Sequence, residues 1–104
     1  MANYLLLYNG GGMPEGDAEQ AKVMQAWGAW FAQLGDSMVD GGNPFTPKAK
    51  TISADGHVSD GAGRASGYSV IKASSLDDAV AKAKGCPVLQ GGATISVYET
   101  FEAM

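Results

Sequence analysis

Strand-like and helix-like segments alternate along the 104-residue chain as strand, helix, strand, strand, helix, strand. Two amphipathic helical stretches separate the strand-like runs, and glycine-rich loops punctuate them. These observations predict an α+β domain with the βαββαβ ferredoxin-like arrangement, an antiparallel sheet carrying both helices on one face. The length fits a single domain over residues 1–104. Hydrophobic residues at 45% exclude a disordered chain, and charged residues at 17% fall below the usual ~25%.

The first element is the run Tyr4-Leu5-Leu6-Leu7-Tyr8, stopped by Asn9 and the glycines at 10–12. It is apolar on both faces and reads as a buried strand. Asp17 is the expected cap of the next element, with Gln20 three residues on. Trp30, Val23, Leu34, Trp27, Phe31 and Met24 then fall within an arc of about 120° at helical spacing, and Gly35 is the expected stop. The two tryptophans read as helix-to-sheet core, with a stacking platform as the rarer alternative. Gly28 sits inside this helix, where a close neighbour is expected.

Residues 38–47 are rich in turn formers and read as a loop. Residues 50–54 and 57–59 flank Asp55-Gly56, which predicts a hairpin with a type I′ turn. A second loop leads into a strand over residues 67–73. Ser74 and Ser75 are expected to cap the second helix. Asp77 and Asp78 stand in its first turn, and Asp78 is spaced to pair with Lys82. Leu76, Ala79, Val80 and Ala83 make its apolar stripe. Gly85 and Pro87 end it. Residues 93–101 alternate as a half-buried strand, with Ile95 and Val97 on one face and Ser96 and Tyr98 on the other.

In the first strand Tyr4, Leu6 and Tyr8 share one side, and Leu5 and Leu7 the other. Two helices cover only one face of such a sheet. The second face is too apolar for water and predicts a homodimer packed sheet to sheet.

The net charge is −4 and no two basic residues are adjacent, which excludes a nucleic-acid partner. The single cysteine, Cys86, cannot form an internal disulfide and fits a reducing compartment. The apolar run at 4–8 is too short for a leader core or a membrane span. A cytoplasmic protein without membrane association is expected. One histidine and one cysteine make no conventional metal site, and the glycines at 10–12 lack the Gly-Lys-Ser/Thr of a phosphate loop. No metal and no cofactor is implied.

His57 is the only histidine and the natural candidate for proton transfer near neutral pH. Asp60, three residues on, is placed to orient it, although alternation puts the two on opposite faces and a direct pair needs a bulge. An exposed hairpin histidine is the competing reading. Asp40 reads as a turn residue and as a second candidate carboxylate. Tyr8 and Tyr98 offer hydroxyls to a cavity between paired sheets, and Arg64 joins them as a candidate ligand-binding residue. Cys86, with no nearby base, reads as structural.

Several segments together resemble one family. They are Tyr4-Leu5-Leu6-Leu7-Tyr8, Met13-Pro14, Trp27 to Leu34, Val39-Asp40-Gly41-Gly42, Asp60-Gly61, Gly67-Tyr68, Ser75-Leu76-Asp77-Asp78-Ala79 and Lys84-Gly85-Cys86-Pro87. In order and spacing the chain resembles the YCII-related family, and within it a divergent member of the DGPF-type branch. The resemblance implies a ferredoxin-like fold that dimerises as an α+β barrel. Most members of that family have no assigned activity. Wider relatives are isomerases, dehydrochlorinases or oxygenases of small organic acids and aromatics. The chain departs from the branch at Asp60-Gly61-Ala62-Gly63, where Asp-Gly-Pro-Phe is usual. It also carries Trp27 about where some members place an acid-base histidine.

Two functions follow as expectations. The first is a homodimeric small-molecule-binding or accessory module. The second is a small cofactor-independent lyase or isomerase using His57, Asp60, Asp40 or Tyr8 on an organic acid or aromatic.

Overall fold

The computed structural model describes residues 1–11 and 16–102. The elements run β1 (Ala2–Asn9), α1 (Asp17–Leu34), β2 (Met38–Asp40), β3 (Lys50–Ile52), β4 (Val58–Asp60), β5 (Ala65–Ala73), α2 (Leu76–Ala83) and β6 (Thr94–Glu99). Short 3-10 turns at Gly35–Ser37 and Pro87–Gly91 follow the two helices. The protein is α+β. Four strands form one antiparallel sheet in the order β2-β5-β1-β6, and β3 and β4 pair only with each other. No described helix is long and apolar enough to cross a membrane.

Period-two alternation in β1 and β5 splits the sheet into two unlike faces. Tyr4, Leu6 and Tyr8 of β1 pair with Ile71, Ser69 and Gly67 of β5. All six are buried. Trp30 of α1, Ala79 and Ala83 of α2, and Cys86 close over this side and complete the core. The other face carries Leu5 between Val70 and Tyr98, and Leu7 between Tyr68 and Ser96. No helix covers it.

The predicted second strand of the sheet is corrected. It is Met38–Asp40, inside the segment expected to be a loop, and not the 50–59 hairpin. Its last residue opens a dense run of turn formers, Asp40 to Pro44, which hides the strand from a pattern search. Pairing with β5, Met38 to Ile71 and Asp40 to Val70 across a bulge, is what makes them a strand.

The hairpin exists, but its turn is not type I′. That turn needs positive φ at both central residues, and Gly56 alone has it, at 90°. The Gly56 N–H reaches the Ser53 carbonyl at 2.9 Å and the Ser53 N–H reaches the His57 carbonyl at 2.8 Å. This is a three-residue loop with a glycine bulge. The Asp55 carboxylate accepts from the Ser53 hydroxyl and from the His57 N–H. Those two bonds hold its pKa below the ordinary 3.8, the hydroxyl bond most.

Helix capping follows the sequence at one helix only. Ser75 caps α2, its hydroxyl accepting from the Asp78 N–H at 3.1 Å. The Asp78 carboxylate accepts from the Ser74 N–H and pairs with Lys82 at 3.2 Å, as spaced. The Ser74 bond, then Lys82, pulls the Asp78 pKa down. In α1 the cap position belongs to Gly16, and Asp17 lies in the first turn. The expected cap by Asp17 is therefore corrected. A carboxylate in the first turn still complements the positive end of the helix.

The apolar stripe of α1 is only partly used. Trp30 is 2% exposed, whereas Met24 is 63% exposed. The helix is pinned most deeply at Trp30, whose indole N–H donates to the Lys82 carbonyl at 3.1 Å with Gly85 under its ring, while Trp27 and Leu34 pack partly buried against the core. Gly28 meets no neighbour within 4 Å, so the expected close approach there is absent. In α2 likewise, Ala79 and Ala83 are buried and Leu76 and Val80 are exposed.

Candidate functional site

Tyr8 and Tyr98 stand on opposite faces of the sheet. Register pairs Tyr8 with Ile95 and places Tyr98 beside Leu5, one residue out of phase. Tyr8 points into the core. Its hydroxyl donates to Ser69 Oγ at 2.6 Å, and the Ser69 hydroxyl donates to the Gly41 carbonyl at 2.8 Å. The Cys86 thiol donates to the Tyr8 oxygen at 3.6 Å. Burial, foremost, raises the pKa of both the Tyr8 phenol and the Cys86 thiol. Both groups stay protonated at neutral pH and act as donors. Trp27 meets the Tyr8 ring edge-on at 5.8 Å.

This buried chain ties the loop after β2 to the centre of the sheet. Tyr8→Phe should therefore lower stability by about 1 kcal/mol, because the Ser69 oxygen loses its donor. Urea denaturation measures this, and an unchanged midpoint would show the bond to contribute nothing. Sequence reasoning missed Ser69. The signal was a lone serine in phase with Ile71 and Ala73 on the core side of a strand.

The three candidate acid-base residues lie apart. His57 is exposed at the tip of the β3–β4 hairpin. Asp60 lies at the hairpin base, where its carboxylate takes the Lys50 ammonium at 2.7 Å. Asp40 is on the main sheet, accepting from the Gly42 N–H at 2.9 Å and from the Tyr68 hydroxyl at 3.3 Å. No hydrogen bond joins any two of the three among the described residues. Asp40 serves as a turn residue that also fixes Tyr68.

Arg64 precedes β5 at the end of the sheet. Its carbonyl accepts the Gly10 N–H at 3.1 Å, and its guanidinium lies beside Gly10. Together with Asn9, Gly11, Gly92 and Thr94 these residues line an open cleft of about 400 Å³. Arg64 takes part in none of the ion pairs among the described residues. Arg64 is the predicted ligand residue that lines this cleft, and its planar fork suits a carboxylate. Met13 and Pro14 of the resemblance, and Gly12, lie outside the described residues.

The open sheet face carries a row of apolar and aromatic side chains. Leu5, Leu7, Tyr68 and Val70 are half-buried and Tyr98 is 53% exposed. Phe45 stacks on Tyr68 at its rim, with centroids 6.0 Å apart. No cluster of three or more His, Cys, Asp or Glu side chains placed to hold a metal occurs among the described residues. Comparison with family models, curated proteins and solved structures gave no match for this chain.

Proposed function

We propose that the chain is a homodimeric small-molecule-binding or accessory module, paired through its open sheet face. The observation that carries this reading is the face itself: Leu5, Leu7, Tyr68, Val70 and Tyr98 make one apolar, aromatic-edged surface opposite the helices. Isolated apolar residues on a surface are ordinary, whereas a contiguous patch marks an interface.

The surface area supports the same reading. The chain exposes 7192 Å², against about 5,500 Å² for a compact monomer of this mass. A standard interface covers about 800 Å² per partner. Counted among themselves in chain order, the four sheet strands run 4-1-3-2. That order suits a ferredoxin-like domain and, with the resemblance, a YCII-related, DGPF-type protein whose sheets pair into an α+β barrel. Tyr98 then faces the partner, and Arg64 at the sheet end offers a cation to an acidic ligand. The single buried thiol accords with a reducing, cytoplasmic setting.

Light scattering and sedimentation test the dimer. The wild type is expected to be dimeric in the micromolar range, and Leu7→Asp monomeric and folded, since Leu7 lies outside the core. A wild type that stays monomeric throughout that range overturns the reading.

A further inference from the structure

Among the described residues the β3–β4 hairpin shares a ladder with no other strand. Every residue from 43 to 64 is exposed, and β3 and β4 bond only to each other. Three residue pairs make the ladder: Lys50 to Asp60, Thr51 to Ser59 and Ile52 to Val58. An isolated two-stranded hairpin is marginal in water. Yet one of its faces holds a directly opposed apolar pair, Ile52 at 71% exposure and Val58 at 50%.

An arm standing off the sheet accords with an extended shape. The radius of gyration is 15.2 Å, against about 13 Å for a compact domain of this length. The arm leaves and re-enters at the N-terminal end of β5. There Pro44 bridges to Gly67 and the Phe45 N–H bonds the Ser66 carbonyl at 2.8 Å. At this root Phe45 stacks on Tyr68, which belongs to the open face. The apolar surface thus runs without a break from the sheet to the base of the arm.

We infer that the β3–β4 arm embraces a second copy of this chain, its Ile52–Val58 face packing on the partner protomer beside the sheet-to-sheet contact. The inference rests on the sheet-face dimer proposed above. The occupant follows from position and symmetry: an arm rooted on a self-pairing face extends over whatever that face holds. A two-fold axis then supplies two equivalent arms. The chain exposes roughly 1,700 Å² more than a compact monomer, about twice the ~800 Å² per partner of a standard interface, which leaves surface for an arm contact beside the sheet contact.

Two measurements test it. Hydrogen exchange on the wild type follows the Ser53 and Gly61 amides, which close the two ends of the hairpin. Both should exchange at least about tenfold more slowly in the dimer than after dilution to monomer. In Leu7→Asp they should exchange fast at every concentration. The double variant Ile52→Asp/Val58→Asp should weaken the dimer at least about tenfold, with the amide spectrum of the main sheet unchanged. A stable wild-type dimer whose arm amides exchange as fast as in the monomer overturns the arm and leaves the sheet contact standing. So does an unweakened double variant. A wild type that never dimerises overturns both.

Discussion

Gly42→Ala is expected to be the most damaging glycine-to-alanine change among the described glycines. Gly42 has φ +75°, and a Cβ there would lie 1.6 Å from the Tyr68 carbonyl oxygen and 2.6 Å from its carbon. Both are backbone atoms of an inner strand, so no rotamer change relieves the clash. The left-handed conformation alone costs an alanine about 1–2 kcal/mol. Relief of the clash requires the loop to lift from β5. That breaks the Ser69 bond to Gly41 and the Asp40 bond to the Gly42 N–H. A total loss of about 4 kcal/mol or more is expected. Urea denaturation gives the number, and a wild-type midpoint would show that the loop does not lie against β5 in this way. Gly28→Ala is the control. Gly28 lies in a helix interior with nothing within 4 Å, and alanine there should stabilise by about 0.5–1 kcal/mol.

Trp30→Ala should cost about 3–5 kcal/mol. Trp30 is the only described residue of α1 that is fully buried, and it ties that helix to the end of α2 through the Lys82 carbonyl. Trp27 and Phe31 pack on its ring at 5.7 and 5.8 Å. Removing the indole leaves a cavity and a helix with no other deep anchor. Domains have roughly 5–15 kcal/mol in total, so the variant should be largely unfolded on modest warming. Trp30→Phe keeps a ring but loses the N–H donor, and about 1 kcal/mol should go with it. Thermal unfolding monitored by far-ultraviolet circular dichroism separates the two. Equal midpoints for Trp30→Ala and the wild type would mean that α1 is held elsewhere.

These stability predictions concern the face covered by helices. The functional proposals concern the opposite face and the arm. The division has a chemical consequence: Tyr8, protonated and hydrogen-bonded within the core, is a structural donor on the wrong side of the sheet to meet a ligand between paired sheets. Tyr98 and Arg64 keep the access that such a role needs.

Local signals in the sequence settled the elements whose pattern is complete within a few residues. The run at 4–8, the alternation at 67–73 and the Ser75–Asp78 cap appear where the residues placed them, whereas the strand expected over 93–101 is confined to Thr94–Glu99, with Phe101 exposed, and the helical stripe is buried only around Trp30. The second apolar face also appears as placed, because period-two alternation assigns Leu5 and Leu7 to a side without reference to any partner. Only the tertiary structure decided matters that depend on distant pairing. A strand as short as Met38–Asp40 is defined by β5 and not by its own composition. The turn at Asp55-Gly56 took a bulged form because the ladder between Ser53 and His57 set its length. Tyr8 and Tyr98 parted because register, which no single segment carries, places residues of β1 and β6 in or out of phase. His57, Asp60 and Asp40 are close in kind, but the hairpin's separation from the sheet keeps them apart. Propensity and periodicity act over a few residues, whereas register and docking are chosen by contacts between segments far apart in the chain.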